Sequence, residues 1–152
     1  MFDLPRSNWS DYDRSALSPG GDIFERSAKS VRLSPEARAA LGLARETMTP
    51  NELIKAMLRA EVDLLFFGGI GCFVRASTES DADANDRTND AIRIDARMLH
   101  AKIIGEGANL GMTQRARIEY ALAGGALNTD AIDNSGGVDC SDHEVKIGRA
   151  HV

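Results

Sequence analysis

Apolar positions in this chain gather in short runs, and polar, glycine-rich stretches separate them. The longest run, Val62-Asp63-Leu64-Leu65-Phe66-Phe67, is nearly continuous and stops at Gly68-Gly69-Ile70-Gly71. A run this nearly continuous predicts a strand covered on both faces, as inside a parallel sheet flanked by helices. Lys102-Ile103-Ile104 predicts a second short strand, entering Gly105-Glu106-Gly107-Ala108-Asn109. Leu127-Asn128-Thr129-Asp130-Ala131 predicts a third, entering Asp133-Asn134-Ser135-Gly136-Gly137.

Helix signals lie between and before these runs. Ser34 followed by Pro35 starts a short helix that Gly42 ends. Thr49-Pro50-Asn51-Glu52 is a capping box, and Leu53, Ile54, Met57 and Leu58 follow at helical spacing to about Ala60. A short helix is expected within Ala91 to His100, and Thr113 caps another from Gln114 to about Leu122, closed by Gly124-Gly125. Ser141-Asp142-His143-Glu144 is a further capping-box start. The acidic stretch from Glu79 to Asp90 reads as a surface loop. Helix, apolar strand and glycine turn in alternation predict α/β architecture, with helices packed on a short, mostly parallel sheet.

Composition narrows the function classes. The 152 residues are 43% hydrophobic, a length and make-up sufficient for one core. Eighteen basic against 23 acidic side chains give a net charge of −5, which argues against the phosphate-tracking surface of a nucleic-acid binder. The longest apolar stretch is far short of the roughly 20 residues of a membrane span. Met1 to Trp9 lacks the charged start and apolar run of a secretory signal. Cys72 and Cys140 are expected to be thiols rather than a disulfide framework, and the expected location is the cytoplasm.

The chemistry concentrates where strands end. In open α/β sheets ligands bind beyond the carboxyl ends of the strands, where glycine lets backbone amides approach and a side-chain amide can orient the ligand. Gly68 to Gly71, Gly105 to Asn109 and Asn134 to Gly137 therefore mark one candidate site, although each could also be only a tight turn. No Gly-x-Gly-x-x-Gly segment opens a helix after a strand, so the usual pyrophosphate turn is missing. His100, His143 and His151 are scattered, the cysteines have no partner at zinc-ligand spacing, and Asp81, Asp83 and Asp86 lack the Gly and closing Glu of a calcium loop. No metal site is expected.

Four segments carry a family likeness: Met1-Phe-Asp-Leu-Pro-Arg-Ser-Asn-Trp9, Asp63-Leu-Leu-Phe-Phe-Gly-Gly-Ile-Gly71, Gly105-Glu-Gly-Ala-Asn-Leu-Gly-Met-Thr-Gln-Arg115, and Asn128 through Asn134-Ser-Gly-Gly-Val138 to Ser141 and Glu144. In this order they resemble the large bacterial NAD-specific glutamate dehydrogenases, and the likeness runs to about Lys146. The resemblance implies the second half of a Rossmann-like, doubly wound nucleotide-binding domain over residues 1–146. The implied reaction is L-glutamate, NAD and water to 2-oxoglutarate, ammonia and NADH. Gly68 and Gly69 match positions where backbone approaches the dinucleotide, Asn109 the residue near the nicotinamide, and Asn134 the junction of cofactor and substrate. Val138 and Ser141 match the pocket for the glutamate side chain. An amide suits a carboxamide, and a hydroxyl at a helix start suits a carboxylate.

The resemblance also implies partners. The catalytic lysine and aspartate and most glutamate-binding residues belong to an upstream region, so no catalytic residue is expected here. The chain is expected to be an internal piece of a longer homo-oligomeric enzyme, inactive alone. Asn85 departs from the pattern, standing where the family usually has Gly, and Ile147-Gly-Arg-Ala-His-Val152 reads as a non-native tail. The other reading is a free-standing regulatory module holding a nucleotide or an acidic metabolite at the three turns. A dehydrogenase for another amino acid is a third, against which the Ser141 hydroxyl argues, because it suits a dicarboxylic substrate.

Overall fold

The computed structural model describes residues 9–11 and 13–134. Val138, Ser141 and the helix expected after Ser141 lie outside the described residues. The chain divides into two compact units, Met1–Met57 and Leu58–Val152.

The first unit contains β1 (Val31–Arg32), α1 (Pro35–Leu41), β2 (Thr47–Met48) and nearly all of α2 (Pro50–Leu58). Its helices begin where the side chains require. The Ser34 hydroxyl accepts the Ala37 amide at 3.0 Å, and Gly42 closes α1 in the left-handed conformation. At α2 the Thr49 hydroxyl accepts the Glu52 amide while the Glu52 carboxylate accepts the Thr49 amide at 2.8 Å, the reciprocal pair a capping box demands. The antiparallel pairing of β1 with β2, two residues each, places Val31, Leu33 and Met48 in a small core with Phe24, Ala37 and Leu53.

The second unit is built on a three-stranded parallel sheet in the order β3, β6, β7, formed by Leu64–Phe67, Ile103–Glu106 and Ala126–Leu127. Leu64 pairs with Ile103 and Phe67 with Glu106. Parallel neighbours need crossover connections. The first crossover carries a parallel pair, β4 (Val74–Arg75) and β5 (Ile94–Asp95), and the second carries α3 (Gln114–Leu122). Thr113 caps α3 by accepting the Ala116 amide. Phe67, Ile92, Ile94, Ile104, Met112 and Tyr120 are buried, and the Tyr120 hydroxyl donates to the Ala101 carbonyl at 2.6 Å. The architecture is α/β with a small, mostly parallel sheet.

Three expectations are corrected. The Val62–Phe67 run is not covered on both faces: Leu64 and Phe66 remain 55% and 60% exposed, as is about half of Ile103, whereas Phe67 and Ile104 are buried. The third strand stops at Leu127, and Asp130–Asp133 instead forms a short helix, α4. Residues 91–100 hold β5 and one 3-10 turn, Ala96–Met98. There the Ile94 amide is committed to the Phe73 carbonyl, and Asp95 accepts the Arg97 amide, so pairing with β4 replaces the expected helix.

The acidic segment is anchored rather than loose. Asp81 and Asp90 both pair with the guanidinium of Arg93, whose side chain is fully buried, and Arg93 also donates to the Cys72 carbonyl. Asp86 accepts the Cys72 amide at 2.8 Å and the Asn89 side-chain amide at 2.7 Å. Asn85 has φ +51°, a left-handed conformation that Asn and Gly tolerate best, so a Gly would fit the same backbone.

Candidate functional site

All three strands of the parallel sheet run the same way, so the segments after β3, β6 and β7 emerge at one end. Asn109, after β6, and Asn134, after α4, come together there. The Asn134 amide donates to the Asn109 side-chain oxygen at 3.0 Å. That bond leaves the Asn109 NH2 group and the Asn134 amide oxygen without partners among the described residues. Together they offer a donor group and an acceptor, the complement of a carboxamide.

Gly68 and Gly69 follow β3 at the same end. Neither has a positive φ, a Cβ at Gly69 would meet nothing within 4 Å, and one at Gly68 would only touch the Phe66 ring at ordinary distance. The fold of the described residues does not itself require glycine at these two positions. Gly107 is different, because a Cβ there would lie 2.3 Å from the Phe66 ring. In the turn after β3 the demand for glycine falls on Gly71, which has φ +144° and whose Cβ would lie 2.5 Å from the Asn89 side chain, while Gly68 and Gly69 keep space open.

A buried ion pair underlies the turn that carries Asn109. Glu106 is 0% exposed and Arg117 6%. The guanidinium grips the carboxylate with two bonds of 2.8 and 2.9 Å, and the same carboxylate accepts the Gly111 amide at 3.0 Å. Glu106 thereby closes the loop onto itself. Burial works against the charge of Arg117, but the hydrogen bonds and field of Glu106, with that of Asp130, outweigh it and lift the pKa above the ordinary arginine value. Helix α4 adds two further ties: Asp133 accepts the Glu106 amide at 3.1 Å and Asp130 the Leu110 amide at 3.0 Å.

Beyond this loop a cleft of about 810 Å³ opens between the 70–72 segment, the 110–114 segment and the acidic stretch, with Ile70, Leu110, Met112 and Arg117 in its lining. Among the described residues no group of three or more His, Cys, Asp or Glu side chains could hold a metal ion. No helix there is long and apolar enough to cross a membrane. Of the positions marked in the sequence, the structure gathers Asn109 and Asn134 in direct contact, with Gly68 and Gly69 at the same end of the sheet. Arg117, Asp130 and Asp133 lie outside the marked positions, and Glu106 lies inside a marked turn but carries no expected role. A signal for Arg117 does exist: it shares an inward-facing helical stripe with Ala116 and Tyr120, where a charge needs a buried partner.

Amide side chains and glycines at the carboxyl end of a parallel sheet in an α/β unit have the layout of the place where open α/β sheets bind ligands. Comparison with known proteins gives the particular family. Residues 1–150 match the family described as bacterial NAD-glutamate dehydrogenase, catalytic domain, and the chain belongs to it. It is 57% identical over 147 residues to an NAD-specific glutamate dehydrogenase of Pseudomonas aeruginosa, 56% over 153 aligned positions to one of Mycobacterium tuberculosis, and 53% over 147 to one of Halomonas elongata. Each alignment covers 97% of this chain but only 9% of the relative.

Proposed function

We propose that this chain is the second half of the doubly wound nucleotide-binding region of an NAD-dependent glutamate dehydrogenase, and that it supplies contacts on the nicotinamide side and in the substrate pocket. The observation that carries this reading is the Asn109–Asn134 pair, whose remaining donor and acceptor complement a carboxamide. In this reading the Asn109 NH2 donates to the carboxamide oxygen, and the Asn134 oxygen accepts from its nitrogen. Gly68 and Gly69 leave room for the dinucleotide against the backbone. When bound, NAD supplies the hydride acceptor. Val138 and Ser141 line the glutamate pocket, the Ser141 hydroxyl donating to the distal carboxylate. The rest of the polypeptide supplies the residues that act on the amino group, so the isolated chain forms no NADH from glutamate.

The test is Gly69→Val in the full-length enzyme that contains this segment. A Cβ at this position meets nothing within 4 Å, so the melting temperature should hold while the KM for NAD rises about tenfold, roughly 1.4 kcal/mol. An unchanged KM would count against the reading.

A further inference from the structure

Leu110 follows Asn109 directly and has φ +68° while the residue is 61% exposed. A left-handed leucine is disfavoured about five- to thirty-fold relative to ordinary backbone. The side chain gains little from packing, so what holds the conformation must act through the backbone. Two bonds do so. The Leu110 amide donates to Asp130 Oδ2 at 3.0 Å, and the next amide, of Gly111, donates to the buried Glu106 carboxylate. Asp130 is itself fixed: its other oxygen accepts the Ala131 amide, and Arg117 Nη2 lies 3.5 Å from Oδ2. Asp130 opens α4, and the residue after that helix is Asn134. One carboxylate therefore ties the residue beside Asn109 to the helix that delivers Asn134.

We infer that Asp130 is a positioning residue, holding Leu110 in its left-handed conformation so that the Asn109 and Asn134 amides stay in register for a carboxamide-bearing ligand. This rests on the proposed function and deepens it. Asp130 itself touches no reacting atom; it acts through the geometry of the two amides. Without its bond, the loop is free to relax by the factor that the left-handed conformation costs.

The test uses the full-length enzyme. Asp130→Ala should lower kcat/KM for NAD about five- to thirty-fold, with the KM for glutamate changed less than about twofold. Asp130→Asn keeps an acceptor oxygen for the Leu110 amide and should recover most of the loss. Leu110→Gly, which removes the conformational penalty, should restore the Asp130→Ala enzyme toward the parent. A general structural defect would be relieved by neither change. Should Asp130→Ala not fold, Leu110→Ile serves in its place: it keeps every hydrogen bond, raises the cost of a positive φ, and should show the same selective loss. Parental kinetics in Asp130→Ala, or no recovery with Leu110→Gly, overturns the inference. Asn109→Ala in parallel separates the two claims: if it too leaves NAD kinetics unchanged, the proposed function fails, and if it alone impairs them, only the role of Asp130 fails.

Discussion

Replacing Arg117 with Met removes a guanidinium while keeping an unbranched stem of similar length. Glu106, 0% exposed, then loses the bonds of 2.8 and 2.9 Å and retains only the Gly111 amide as a donor to its side chain. Leaving one member of a buried pair without its partner costs about 3–5 kcal/mol. Glu106→Gln keeps the shape and one acceptor, so its cost should be smaller, about 1–3 kcal/mol. In the double variant no buried carboxylate lacks a partner, and the costs should fall short of their sum by about 2 kcal/mol. Urea unfolding of the four proteins, each carrying Leu64→Thr and Ile103→Thr to keep the exposed sheet face from associating, followed by circular dichroism, measures this cycle. With a slope of about 2 kcal/mol per molar, Arg117→Met should lower the midpoint by about 2 M. Additive costs, or a loss under about 1 kcal/mol for Arg117→Met, would refute the claim that this pair holds the loop.

Other consequences can be measured on the same chain. Leu64, Phe66 and Ile103 leave an apolar stripe on one sheet face, roughly 1 kcal/mol of unrealised burial for each side chain; the isolated chain should self-associate, and Leu64→Thr with Ile103→Thr should shift sedimentation toward monomer. A monodisperse parent across the micromolar range would contradict that. Asn85→Gly should change stability by less than about 0.5 kcal/mol, whereas Asn85→Val should cost about 1–2 kcal/mol at φ +51°; equal thermal midpoints for the two would count against the strain argument. Hydrogen bonds from Asn89 and the Cys72 amide hold the Asp86 pKa below the ordinary aspartate value, and the Arg97 hydrogen bond does the same for Asp95. Their stabilisation is complete above about pH 4 and is lost as pH falls through their lowered values. Asp86→Asn should flatten the acid limb of a stability profile, and an unaltered limb would exclude Asp86 from it.

How much of this was legible in the sequence depended on the range of the interaction. The caps at Ser34, Thr49 and Thr113 are set within three residues, so their side chains announce them. The pairing of Val31–Arg32 with Thr47–Met48 is not announced, because two-residue strands carry no period to read. An apolar run at 62–67 shows that both faces of β3 could be buried; whether the second face is covered depends on elements elsewhere, and in this unit it is open. At the site, the chemistry of Asn109 and Asn134 could be read from residue type and strand-end position. Their contact could not, because it depends on α4, where Thr129-Asp130-Ala131 had the look of a strand. The Glu106–Arg117 pair joins a strand end to a helix interior, and only the misplaced charge on the Ala116–Tyr120 stripe hinted at it.

The most direct measurement on the central claim is the initial-rate kinetics of Asn109→Ala in the full-length enzyme, with NAD and glutamate varied independently. Loss of a donor to the carboxamide, worth about 1–3 kcal/mol, predicts a kcat/KM for NAD reduced about tenfold to a hundredfold while the KM for glutamate changes little. A kcat/KM for NAD within about twofold of the parent would contradict the account.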